Sequence, residues 1–137
     1  MEYLFYFIIL LSDLRYRKIY NHQILVLLLY FISYGYWGDG TGVAYSLLFL
    51  ILGTFPLTLR FVGGGDIKLI SCLSLTLCSD FMIIFLLLIP VLGVIFHPFI
   101  KFFEWVLNIN NITTDKKGIP FSFAIITSFI IVQKLGV

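Results

Sequence analysis

Apolar residues fall in long blocks along this chain, and the polar positions are gathered into the short stretches between them. The first block, Met1 to Leu11, reads on through Asp13 toward Tyr20. The second runs from Gln23 to about Trp37, the third from Val43 to Leu59, and the fourth from Asp66 to about Ser79. A fifth covers Phe81 to Phe96 and a sixth Pro120 to about Val132. Each block is apolar enough to enter a membrane as a helix, although several fall short of the roughly 20 residues that a straight span needs. The pattern predicts an all-α integral membrane protein, a polytopic bundle of about six transmembrane helices forming one domain over residues 1–137.

The charges give this bundle a direction. Arg15, Arg17 and Lys18 follow the first block, Arg60 follows the third, and Lys101, Lys116 and Lys117 follow the fifth. The turn Gly38-Asp39-Gly40-Thr41-Gly42 and the exit at Asp80 carry no Lys or Arg. By the positive-inside rule the basic ends face the cytoplasm, and Tyr34, Tyr36 and Trp37 form an aromatic belt at the outer interface. Six spans then leave both termini external. Two readings stand for residues 101–111, where Lys101, Glu104, Asn108 and Asn111 recur every three or four positions. One is a short helix lying in the membrane interface, and the other is a simple continuation of the fifth helix.

Composition strengthens the membrane assignment. The chain has 137 residues, 61% hydrophobic and only 12% charged, too little polar surface to cover a soluble domain. A net charge of +2 offers no basic surface for nucleic acid. The first block lacks a basic leader segment and a small-residue cleavage site, so it reads as a retained span rather than a signal peptide. Cys72 and Cys78 lie six residues apart, about 240° around a helix, and form no CxxC pattern; they read as packing residues.

Against that apolar background, Asp66 directly follows Gly63, Gly64 and Gly65. A carboxylate costs about 2.5–3.5 kcal/mol near a bilayer centre and less toward the interface, so an acid at a helix mouth is a candidate for function. The glycines leave the backbone bare for close approach by another chain; the plainer reading is a glycine turn that starts a helix. Asp13 lies roughly 18 Å along the first helix, near the inner interface, and the topology sets it at the same membrane depth as Asp66. Two carboxylates held close do not both ionise. The charged one can take a proton from water while the protonated one gives its proton to a carbonyl, which is aspartic protease chemistry.

The residues around both acids resemble a known family. Gly63-Gly64-Gly65-Asp66-Ile67-Lys68-Leu69 is similar to the GxGDxKL box of bacterial type IV prepilin leader peptidases, the GxGD class of membrane aspartic proteases. The stretch from Asp13 to Asn21 resembles that family's first box, an aspartate followed by basic residues and Ile-Pro-Asn, with Tyr20 in place of the proline. Gly118-Ile119-Pro120-Phe121 resembles a third patch that opens the last span, with Ser122 where a small glycine is usual.

The resemblance implies that Asp13 and Asp66 are the catalytic pair and that no metal or other cofactor is needed. It also implies cleavage of pilin, pseudopilin or Flp-type precursors at the cytoplasmic face of the cell inner membrane, between a basic leader and an apolar helix. Gly63, Gly64, Gly65, Asn21, Lys68 and Pro120 become candidates for contact with the substrate. Many members carry a methyltransferase domain with paired CxxC motifs between their first two spans. This chain has only a short basic stretch there and resembles the small, protease-only members.

The remaining polar residues read more plainly. Asp39 and Asp80 are expected as solvated turn acids, Glu104 and Asp115 as solvated loop acids, and His22 and His97 as interfacial residues. Lys68, two residues after Asp66, points away from it on an ideal helix; it either snorkels to lipid phosphates or supports the charge of the pair. A reading from another class is a small transporter or channel subunit in which Asp13 and Asp66 relay protons or cations. A relay needs polar groups across the whole bilayer, and the acids here gather at one face.

Overall fold

The computed structural model of the chain describes residues 2–16, 18–35, 40–54, 63–106 and 121–136, the side chains of 103–105 excepted. Among the described residues every regular element is a helix. The order is α1 (Glu2–Tyr16), α2 (Asn21–Tyr34), α3 (Gly40–Thr54), α4 (Gly64–Ser74), α5 (Ser79–Val106) and α6 (Phe121–Leu135). The fifth block is therefore one helix that continues to Val106, through Pro90 and Pro98, which agrees with the second reading over 101–106; residues 107–111 lie outside the described part. Residues 107–120, and with them Pro120, Asp115, Lys116 and Lys117, lie outside the described part, as do Arg17, Asp39 and Arg60.

The first block does not read through to Tyr20 as helix. Its helix ends at Tyr16, and Tyr20 has extended backbone (φ −82°, ψ 140°) as it opens α2. The Tyr20 amide donates to Gln23 Oε1 at 3.2 Å, closing the entry to α2. At the far end of α2 the backbone turns through Gly35 in the left-handed region (φ 66°), where glycine carries no Cβ penalty. The fourth block also stops early, at Ser74. The amides of Thr76 and Leu77 fold back onto the carbonyls of Leu73 and Ser74, and α5 starts at Ser79.

Helices α1, α2 and α5 each bury a narrow stripe. Tyr6 and Ile9 of α1, Ile24, Leu27 and Phe31 of α2, and Met82, Phe85 and Ile89 of α5 follow the i, i+3, i+7 spacing of one helical face. They meet Leu69, Cys72 and Leu73 of α4 and Ile125, Ile126, Phe129 and Val132 of α6 in one core. The Phe129 ring stands edge-on to both Tyr6 and Phe85, with centroids 6.0 and 6.2 Å away. Helix α4 is central, packed on α3 and touching α2 and α6, while α6 lies along α5 and also meets α1.

Polar and small residues lock α3 antiparallel to α4. The Ser71 hydroxyl lies 2.9 Å from that of Ser46 and donates to the Ser46 carbonyl at 2.8 Å. Gly42 sits on the end of α4 and the turn that follows it, and Gly53 sits on Ile67 near the start of α4. Small residues that let backbones approach are a common way of joining apolar helices. The outward surface is itself apolar: Val94 is 76% and Phe99 68% exposed, and Leu47, Leu50 and Ile51 of α3 face outward. One described helix, over Ser79–Phe102, is long and apolar enough to cross a membrane; α2, α3 and α6 are apolar but shorter.

Candidate active site

Asp13 lies one turn before the end of α1 and continues its buried stripe, seven residues after Tyr6 and four after Ile9. It is only 6% exposed. Its carboxylate is held by α6: the Ser122 amide donates to Oδ2 at 3.3 Å and the Ser122 hydroxyl donates to the same oxygen at 2.5 Å. Ser122 is fully buried and is the second residue of α6, so its amide is one of the four that a helix start leaves without an intrahelical acceptor. Next to Asp13, the Ser12 hydroxyl donates to the Lys18 carbonyl at 3.1 Å and ties the end of α1 to the connection into α2.

Asp66 arrives from the other side. Gly63 caps α4 with extended backbone, and Gly64, Gly65 and Asp66 form the first turn, where an acid complements the helix dipole. The amides of Asp66 and Ile67 both donate to the Gly63 carbonyl, at 3.0 and 3.2 Å. A Cβ on Gly63 would lie 2.9 Å from Asp66 Oδ2, and one on Gly65 would lie 3.0 Å from Cβ of Ile19. The bare backbone thus serves contacts within the chain: it lets the Asp66 carboxylate fold over its own helix start and lets α4 approach the connection beside Asp13. Asp66 is partly buried and lies within the electrostatic reach of Asp13, fifty-three residues away in sequence.

Two other candidates meet at the surface. The Lys68 ammonium donates to Asn21 Oδ1 at 2.9 Å, joining α4 to the first residue of α2. Lys68 thus faces Asn21, as its two-residue offset from Asp66 suggests. Arg15, Tyr16, Tyr20 and His22 lie close by: the Arg15 guanidinium sits 5.4 Å from the Tyr16 ring centre, and the rings of Tyr20 and His22 stack at 5.4 Å. The structure therefore gathers Asp13, Asn21, Gly63, Gly64, Gly65, Asp66 and Lys68 at one end of the bundle. Ser122 was visible in the sequence only as a departure from a small residue. Its partnership with Asp13, 109 positions away, depends on α1 and α6 lying together.

A fixed carboxylate within the electrostatic reach of a second one can perform general acid–base chemistry on a bound carbonyl and a water molecule. The model of the type IV leader peptidase family matches residues 2–97, more than two thirds of the chain, and that span contains both Asp13 and Asp66. The chain belongs to that family. No curated protein and no solved structure matches it significantly. Membership makes it a leader peptidase of a membrane protease family, acting on prepilin-type substrates. In this leader peptidase the α6 end of the site, Ser122 included, lies beyond the matched residues.

Proposed function

We propose that the protein is a multi-pass membrane aspartic endopeptidase that removes the basic leader from type IV pilin-like precursors at the cytoplasmic face of the inner membrane. The observation that carries this reading is the meeting of Asp13 and Asp66, each inside a family-like motif, at one end of an apolar bundle. The pair shares one proton. The charged carboxylate removes a proton from water as the oxygen attacks the scissile carbonyl, and the other protonates the carbonyl oxygen. The apolar outward surface supports lateral docking of the precursor helix within the bilayer. Its leader then reaches the acids from the cytoplasm, along a path bordered by Gly63, Gly64, Gly65, Asn21 and Lys68; Pro120, outside the described residues, is a further candidate for contact with it. Six spans with external termini would put the basic residues other than Lys134, together with both acids, on that side. The single domain acts as a protease alone, without methyltransferase activity.

The test is cleavage of a synthetic prepilin by full-length protein in liposomes, comparing the wild type with Asp13→Asn and Asp66→Asn. Loss of cleavage in both variants, with helicity and membrane insertion retained, is the expected result. Retained cleavage in either variant removes that residue from the mechanism. Cleavage by no form of the protein, combined with proton flux in the same liposomes, would favour the relay reading instead.

A further inference from the structure

The two carboxylates are bonded unequally. Two donors from Ser122 converge on Asp13 Oδ2, and one of them, the amide, can only donate. Oδ2 therefore serves as an acceptor, and donors gathered on a carboxylate oxygen favour its charged form. Both donors are buried with Ser122, where water competes little for either partner. The amide also belongs to the first turn of α6, whose positive end favours a negative charge. Asp66 stands at a helix start too, but its own amide and that of Ile67 are engaged by the Gly63 carbonyl. Among the described residues, no hydrogen bond reaches the Asp66 carboxylate.

Among the described residues, two nearby titratable groups have partners of their own. Lys68 of α4 directs its ammonium to Asn21, and His22 of α2 stacks on Tyr20. The first two turns of α6 contain no titratable residue.

We infer that Ser122 is a positioning residue that holds Asp13 as the ionised member of the pair, so that Asp13 acts as the base and Asp66 brings the proton. The assignment of base and acid rests on the protease reading above; the bonding difference does not. In the first step, water oxygen bonds to the carbonyl carbon while its proton passes to Asp13. The Asp66 proton passes to the carbonyl oxygen, giving a neutral geminal diol, a protonated Asp13 and an ionised Asp66. In the second step the C–N bond breaks, Asp13 returns its proton to the leaving nitrogen, and Asp66 recovers one from a diol hydroxyl. Both carboxyls end as they began, and no other reactant is consumed.

The test reads protonation without cleavage. Full-length protein in phosphatidylcholine liposomes is treated at neutral pH with an apolar carbodiimide, which adds to protonated carboxyls in apolar surroundings, and the adducts are located by peptide mass spectrometry. The expected result is labelling of Asp66 well above Asp13. Ser122→Ala should raise the Asp13 share on the order of tenfold, the scale of one lost hydrogen bond to a charged group, and Ser122→Thr should restore it. Equal labelling, a preference for Asp13 or no label on Asp66 in the wild type overturns the assignment, and needs no variant to fold. An unchanged distribution in a folded Ser122→Ala protein removes Ser122 from it. A protein that cleaves no prepilin can still show the asymmetry, and one that cleaves with reversed labels loses only this assignment.

Discussion

Replacing Gly42 by alanine puts the seat of α4 to the test. A methyl group there would lie 2.9 Å from the carbonyl oxygens of Ser74 and Leu77 and 3.1 Å from that of Leu75. Carbon and oxygen in close contact normally stay about 3.3 Å apart or more, so the end of α4 and the turn after it must withdraw by about 0.4 Å. All three oxygens are backbone atoms, and no change of rotamer relieves them. Overpacking costs about 1–3 kcal/mol, and three fixed neighbours put this site near the upper end. Alanine recovers about 1 kcal/mol of helix propensity, leaving a net loss of about 2 kcal/mol.

Gly40→Ala provides the control, because a Cβ at that position meets nothing within 4 Å. The measurement is a denaturing-detergent titration of both variants in mixed micelles, followed by circular dichroism. Gly42→Ala should unfold well before the wild type and Gly40→Ala close to it. Prepilin cleavage should fall with Gly42→Ala as well, because α4 has only 11 residues and carries Asp66 at its other end. If Gly42→Ala is as stable as the wild type or as Gly40→Ala, the close α3–α4 seat is wrong.

Further predictions follow from single contacts. Among the described residues the buried Tyr6 hydroxyl has no partner, so Tyr6→Phe should raise resistance to the same titration by about 1 kcal/mol; a clear loss would mean that the hydroxyl has a partner. Cys72 is buried and Cys78 partly exposed, so a membrane-impermeant maleimide should label Cys78 from the outer side and reach Cys72 only after denaturation. Labelling of Cys78 from the cytoplasmic side alone would invert the proposed topology. Lys68→Met and Asn21→Ala break one exposed hydrogen bond and should leave folding within about 1 kcal/mol of the wild type. Each should raise KM for a prepilin with kcat unchanged, the pattern of lost uniform binding, and an unchanged KM takes the two residues out of the leader's path.

Much of the helical framework was legible because apolar blocks mark helices in any low-dielectric surrounding, whereas the i, i+3, i+7 stripes through Tyr6, Ile24 and Met82 do not stand out from the apolar residues around them. The inward faces were harder to read. A helix between core and lipid is apolar all round, so hydrophobicity does not say which side is inside. Helix α3 makes the point: it buries Gly42 and Ser46 and turns Leu47, Leu50 and Ile51 outward. Helix ends were equally hidden. Apolar residues continue past Ser74 to Leu77, yet backbone turns stop α4 there, and Pro90 and Pro98 do not stop α5. The motifs marked Asp13 and Asp66 as candidates, but the serine that grips Asp13 comes from the opposite end of the chain, and no local pattern announces such a partner.

Helix lengths carry one more consequence. At 1.5 Å per residue the 28 residues of α5 extend about 42 Å and the 11 of α4 about 16 Å, against a hydrocarbon layer of about 30 Å. No flat bilayer matches both. Under the multi-pass reading α5 must tilt or project, and α4, enclosed by α2, α3 and α6, cannot have both its ends at the two surfaces. Hydrolysis consumes a water molecule at every turnover, so under this reading water must reach Asp66 at the start of a helix too short to span the layer.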